Sequence, residues 1–268
     1  MNNTKEALRI LFIGNSHTYY NDMPCMVARR CAEEGYDCAV TMLAHGGWFL
    51  DQHVEEPDVR FNILYGKYDY VVLQEHSHPF GPEEKFFHAA NILNQWIREA
   101  GSTPLLYMTW AKKDEEPEQA RMTQIHKAVA KEIDALLAPV GENWWDYLHS
   151  HPELEMYDPD GAHASRHGSE FAAKYIWDAI RADLSNKEKT TKQYLVLRID
   201  EDINYGCEER AADEPVMAIV TLQDKDGNQC VLRQKDQMLY DLNINEGDYV
   251  TIDKQQGDQT IQKLQSVH

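Results

Sequence analysis

A serine that attacks a carbonyl needs a base to take its proton, and the base needs a partner that fixes its tautomer. Two stretches of the 268-residue chain carry those residue types. The first is Phe12-Ile13-Gly14-Asn15-Ser16-His17-Thr18, where Ser16 stands two residues after a glycine that closes an apolar run. The second is Tyr157-Asp158-Pro159-Asp160-Gly161-Ala162-His163-Ala164-Ser165, where Asp160 precedes His163 by three residues. That spacing lets the carboxylate reach Nδ1 of the ring while Nε2 faces a hydroxyl. Each stretch alone also has a plainer reading. Asn and Ser are common helix N-caps, and an acidic turn beside one of 12 histidines needs no function. A phosphate-binding loop is excluded, because neither Gly-x-Gly-x-x-Gly nor Gly-Lys-Ser/Thr is present.

Other residues stand close enough in sequence to line a pocket. Asn15 and His17 flank the serine, Thr109 and Trp110 end an apolar run, and Trp144 and Trp145 precede the acidic turn. Asn15, His17, Trp110 and Trp145 are the candidate substrate contacts, although tryptophans serve equally well as core. His45, His76 and His78 with Glu75 lack the helical spacing of a metal site, so no metal is expected. The five cysteines (Cys25, Cys31, Cys38, Cys207 and Cys230) are odd in number and show no two-residue spacing; they read as reduced thiols.

The elements that must position these residues fall into two groups. Up to about residue 185, apolar runs alternate with helical periodicity: strands over 7–14, 38–43, 68–74, 103–109 and 138–144, and helices over 24–35, 83–100, 117–137 and 169–184. Such alternation implies a parallel sheet covered on both faces. Ligands bind outside the carboxyl ends of such strands, which is where Ser16 would stand. Residues 186–192 are polar and read as a linker. Residues 193–268 change to period two, with strands over 194–199, 216–223, 229–233 and 249–253 and turns at Asp226-Gly227-Asn228 and Glu246-Gly247-Asp248; the expectation is a small β-barrel-like domain.

Taken together, the Gly-Asn-Ser stretch near the start and the Asp-x-x-His stretch near the end of the α/β region resemble the SGNH hydrolases, or GDSL-type esterases, over about residues 8–182. The resemblance implies a flavodoxin-like α/β/α fold and a Ser16-His163-Asp160 triad that hydrolyses a carboxylic ester through an acyl-enzyme. It implies no cofactor, and an acetyl or short acyl group on a small-molecule or saccharide alcohol. The family also builds an oxyanion hole from the serine N–H, a glycine N–H and an asparagine amide. Gly46 matches the glycine, with Gly47 as the alternative. No asparagine follows the third strand, in Leu73-Gln74-Glu75-His76-Ser77-His78. Gln74 is the expected amide donor, and His78 the alternative. An acyltransferase on the same site, or a ligand-binding protein on an esterase fold, are the other functions these residues allow.

Charge narrows the partners. Forty-five acidic against 26 basic residues leave a net −19. From residue 189 onward there are 15 acidic and 9 basic residues, a net −6; the preceding part has 30 and 17, a net −13. Neither part suits a nucleic-acid backbone or an anionic membrane. No apolar run approaches the roughly 20 residues of a membrane helix. The N-terminus carries no signal-peptide pattern, so a cytoplasmic location is expected; a chain with its signal already removed would read the same. Exposed strand edges in the β region could support a homo-oligomer.

Overall fold

The computed structural model describes residues 7–191, 193–201, 215–255 and 258–264. Contacts divide the chain into two compact units, Met1–Arg181 and Ala182–His268.

The first unit is built on a five-stranded parallel sheet. Its strands are β1 (Leu8–Gly14), β2 (Cys38–Ala44), β3 (Tyr70–Leu73), β4 (Thr103–Tyr107) and β5 (Leu136–Ala138), in the order β2-β1-β3-β4-β5. Ile10 to Ile13 of β1 are fully buried, because a central strand of a parallel sheet meets helices on both faces. Leu11 and Ile13 point to one face, where they join Val71, Leu73 and Leu106 of the neighbouring strands in a single core. The same core takes in apolar side chains of α3 (Leu50–Val54), α4 (Pro57–Tyr65), α5 (Glu83–Glu99) and α6 (Glu118–Glu132). Ile10 and Phe12 alternate to the other face. The remaining helices are α1 (Ser16–Tyr19), α2 (Met23–Glu33), α7 (Val140–Ser150) and α8 (Arg166–Thr191). Arg29 and Arg30 of α2 both reach Glu170 of α8, and Arg181 of α8 returns to Glu34 beside α2.

This strand order places the reversal of connection between β1 and β3. The crevice outside their carboxyl ends is where open α/β sheets bind ligands. Ser16 follows β1 directly, and Gln74 to His78 follow β3.

The second unit is one antiparallel sheet. Its strands are β6 (Gln193–Glu201), β7 (Met217–Asp224), β8 (Gln229–Lys235), β9 (Tyr249–Gln255) and β10 (Asp258–Lys263), in the order β10-β9-β6-β7-β8. The short α9 (Asp236–Asp241) supplies Leu239 to its core, beside Val196, Val220, Leu222, Val250 and Ile261. The sheet's two edges approach each other, since Gln234 Nε2 of β8 donates to Gln259 O of β10 at 2.6 Å. The sheet is thus partly closed by a side chain.

Several expectations from sequence need correction. The fifth strand is not 138–144. It occupies Leu136–Ala138, and Pro139 ends it before α7 begins at Val140. The helix expected to reach Leu137 stops at Glu132, two residues before Asp134 takes the left-handed conformation (φ 50°) that breaks helices. Residues 186–191 are the last turns of α8 rather than a linker. Lys and Glu are good helix formers, and Lys187 pairs with Asp183 one turn back at 2.8 Å. The elements α3, α4, α9 and β10 carried no expectation. Cys25, Cys31, Cys38 and Cys230 are free thiols; Cys207 lies outside the described residues.

Candidate active site

Asn15 caps the one-turn helix that begins at Ser16: its Oδ1 accepts from His17 N at 3.1 Å. The turn is held from below by Gln74. The Gln74 Oε1 accepts from Asn15 N (2.8 Å) and from Thr18 Oγ1 (2.9 Å). Gly14 must be glycine here, since a Cβ would lie 2.5 Å from Thr18 Oγ1 and 2.6 Å from Gln74 Oε1. The serine is therefore presented by a tight strand-to-helix turn held by the side chains of Asn15 and Gln74.

His163 meets it from the far end of the unit. Ser16 Oγ lies 2.8 Å from His163 Nε2, and His163 Nδ1 lies 2.5 Å from Asp160 Oδ2. An ionised carboxylate only accepts, so Nδ1 carries the ring proton and the Nε2 lone pair accepts from the Ser16 hydroxyl. The other oxygen, Asp160 Oδ1, accepts from Ala162 N and His163 N at 2.9 Å each. Partial burial works against the Asp160 charge, but the bonds from the His163 ring and these two amides outweigh it. They hold the carboxyl at about 2. The His163 ring is stacked on Tyr20 at 4.3 Å and on His17 at 4.9 Å.

The loop carrying this pair is fastened from β4. Trp110 Nε1 donates to Ala162 O and Lys113 N to Gly161 O, both at 2.9 Å. Trp110 itself lies flat on Trp144, 3.8 Å away.

On the other side of Ser16, the turn after β2 carries Gly46 and Gly47. His45 N donates to Gly14 O, Asn15 Nδ2 donates to Trp48 O, and Glu75 Oε2 accepts from Leu50 N at 3.4 Å. A Cβ on Gly46 would stand 3.0 Å from Tyr19 Oη, so this glycine lies against α1, whereas Gly47 (φ 74°) faces open space. Among the described residues neither Ser16 N nor Gly46 N donates elsewhere.

Ser16, His163 and Asp160 are thus brought together, with Gly46 beside them. Several other expected contacts are not substrate contacts. Gln74 is buried; its amide nitrogen donates to Glu75 O and its oxygen is spent on the serine turn, so it positions Ser16 rather than an oxyanion. Asn15 is buried and its side chain is used in capping and in holding Trp48. Trp110 is completely buried behind the acid–base loop. Trp145 meets the rings of His149 and Tyr157 rather than those of His17 or His163. His17 is the floor under His163. Burial, then its neighbours His78 and His163, hold it well below the ordinary histidine range, so it stays neutral. His78 packs 5.1 Å from His17. Burial, and then Lys112, pull it down to about 4, and its Nε2 has no partner among the described residues. Among those residues no group of three His, Cys, Asp or Glu side chains is placed to hold a metal ion.

Two participants were given no such role in the sequence. Tyr20 stands one helical turn from Ser16, a spacing that could have flagged it. Glu75 stood out only beside His76 and His78 as part of a rejected metal cluster. Its carboxyl is buried and joins the end of β3 to the glycine turn, with His76 N donating to Oε1 at 2.6 Å. Burial raises it to about 8.

The architecture is shared with proteins of known structure. An SGNH hydrolase from Slackia heliotrinireducens superposes with a TM-score of 0.58 at 27% identity, over 65% of this chain and 99% of its own. The acetyl xylan esterase AlAXEase superposes at 0.52, with 18% identity, over 65% of this chain and all of its own (100%). A carbohydrate esterase family 3 protein from Talaromyces cellulolyticus gives 0.52 at 12% identity, over 67% and 99%. No family model and no curated protein matches the sequence. The α/β unit has the SGNH hydrolase fold and resembles hydrolases and esterases of that superfamily. No described helix is long and apolar enough to cross a membrane.

Proposed function

We propose that the protein is a serine esterase that removes an acetyl or other short acyl group from an alcohol. The observation that carries this reading is the unbroken relay from Ser16 Oγ through His163 to Asp160, at 2.8 and 2.5 Å. His163 Nε2 takes the proton as Ser16 Oγ attacks the ester carbonyl, and Asp160 stabilises the imidazolium. The N–H groups of Ser16 and Gly46 donate to the tetrahedral oxyanion, where charge exists only in the transition state. His163 returns the proton to the departing alcohol. Water, activated by the same ring, then attacks the acyl-enzyme and frees the acid and Ser16. The acetyl xylan esterase AlAXEase and a carbohydrate esterase family 3 protein share this fold.

Hydrolysis of p-nitrophenyl acetate tests the reading. Wild type should turn it over, and Ser16→Ala, with an unchanged circular dichroism spectrum, should lose about 10³-fold or more in kcat. Equal rates in the two proteins would place the active site elsewhere.

A further inference from the structure

Two backbone donors, Ser16 N and Gly46 N, stand ready for an oxyanion, but the side-chain amide expected beside them is spent. Gln74 is bonded to Asn15 N, Thr18 Oγ1 and Glu75 O. Nε2 of His78, the other expected donor, is buried, so an incoming carbonyl oxygen does not reach it. What the fold sets against Gly46 instead is a hydroxyl. Tyr19 Oη lies 3.0 Å from the position that a Cβ would take on Gly46. That position is about 2.5 Å from Gly46 N by covalent geometry, so hydroxyl and amide are at most about 5.5 Å apart. Two donors that share one oxygen at about 2.9 Å each can stand up to about 5.8 Å apart. One oxygen can therefore accept from both.

The helix that presents the nucleophile also presents this hydroxyl. Tyr19 closes α1 three residues after Ser16, so the two side chains share one face of the turn. Its neighbour Tyr20 covers the His163 ring. Consecutive tyrosines thus attend to the two halves of the site, Tyr20 to the base and Tyr19 to the glycine turn. The Tyr19 side chain is 36% exposed, and its Oη has no hydrogen-bond partner among the described residues. A phenol carries one O–H donor. Here that donor is accessible, unspent and placed beside an unspent backbone N–H.

We propose that Tyr19 is a catalytic residue whose hydroxyl is the third donor to the oxyanion, beside the N–H groups of Ser16 and Gly46. The proton stays on the phenol throughout. The hydrogen bond strengthens as the carbonyl oxygen gains charge, and no covalent bond at Tyr19 forms or breaks. The proposal rests on the esterase reading, and two measurements separate their fates. The first is kcat and KM for p-nitrophenyl acetate in wild type and Tyr19→Phe. The substitution removes only an exposed hydroxyl without a partner, so folding is spared. The kcat should fall about 10²-fold with KM nearly unchanged, because the donor acts in the transition state. An unchanged kcat, or a rise in KM alone, would overturn the role of Tyr19 and leave an esterase that Ser16→Ala still silences. The second is the affinity for phenylboronic acid, whose boron accepts Ser16 Oγ and becomes a tetrahedral anion. Tyr19→Phe should bind it about tenfold more weakly than wild type. That loss supports the third donor even if no ester is hydrolysed, whereas equal affinity overturns it. A wild type that neither hydrolyses the ester nor binds the boronate overturns both readings.

Discussion

Glu75 and Asp160 are two carboxyls within one site, and their surroundings push them in opposite directions. Asp160 keeps about half its side chain in solvent and receives three hydrogen bonds, so it stays ionised down to about pH 2. Glu75 is sealed under the glycine turn, where one short bond to His76 N and one long bond to Leu50 N do not offset lost hydration. A carboxyl whose folded value is about 8 against an ordinary 4.5 binds more protons folded than unfolded between those limits. Its contribution to stability is full below about pH 4.5 and declines until about pH 8. Glu75→Gln keeps an acceptor for His76 N and removes the titration. Its melting temperature relative to wild type should therefore climb from pH 4.5 to 8 and level off above. A difference that stays constant with pH would contradict the account of Glu75. Residue types and spacing made Ser16, Asp160 and His163 candidates, and the family resemblance singled them out together with Gly46. Gln74, Trp110 and Glu75 were misread or missed, because a buried amide, indole or carboxyl reveals its role only through its partners.

At the scale of elements, the candidate site rests on three segments, the turns after β1 and β2 and the loop between α7 and α8, each tied to a different support. The glycine turn is tied to Asn15 and Glu75, the serine turn to Gln74, and the acid–base loop to Trp110. Trp110→Phe keeps an aromatic ring against Trp144 but deletes the bond to Ala162 O. The lost bond and the smaller buried ring should lower the melting temperature by a few degrees, and the loosened acid–base loop should lower kcat about fivefold with KM nearly unchanged. A wild-type kcat would mean that the loop is positioned without Trp110. The strands β1 to β4 were readable in the sequence, since each is a short β-branched or leucine-rich run. The region from Leu136 to Ser150 was not. Strand β5 is only three residues long, and Trp144, which suggested a strand, is buried on a helix by packing against Trp110.

Among the described residues, a core on one face of the parallel sheet and a core of the antiparallel sheet share no residue. The period-two pattern after residue 193 made the second core legible; its polar entry did not, because charged residues such as Lys187 extend a helix as readily as they solvate a loop. Separate cores predict separate unfolding transitions. Leu222 is fully buried in the second, and Leu222→Ala should cost about 3 kcal/mol there. Calorimetry should show one transition moving down and the other staying. A single transition that shifts as a whole would show that the cores unfold as one.

The central claim is that Ser16 is an activated nucleophile. Its most direct test is the mass of the protein after treatment with a fluorophosphonate, which phosphonylates a serine only when a base activates it. One adduct per chain, mapped to the peptide containing Ser16 and absent from both Ser16→Ala and His163→Ala, is the result expected. An unmodified wild-type protein, or an adduct on another residue, would contradict the claim.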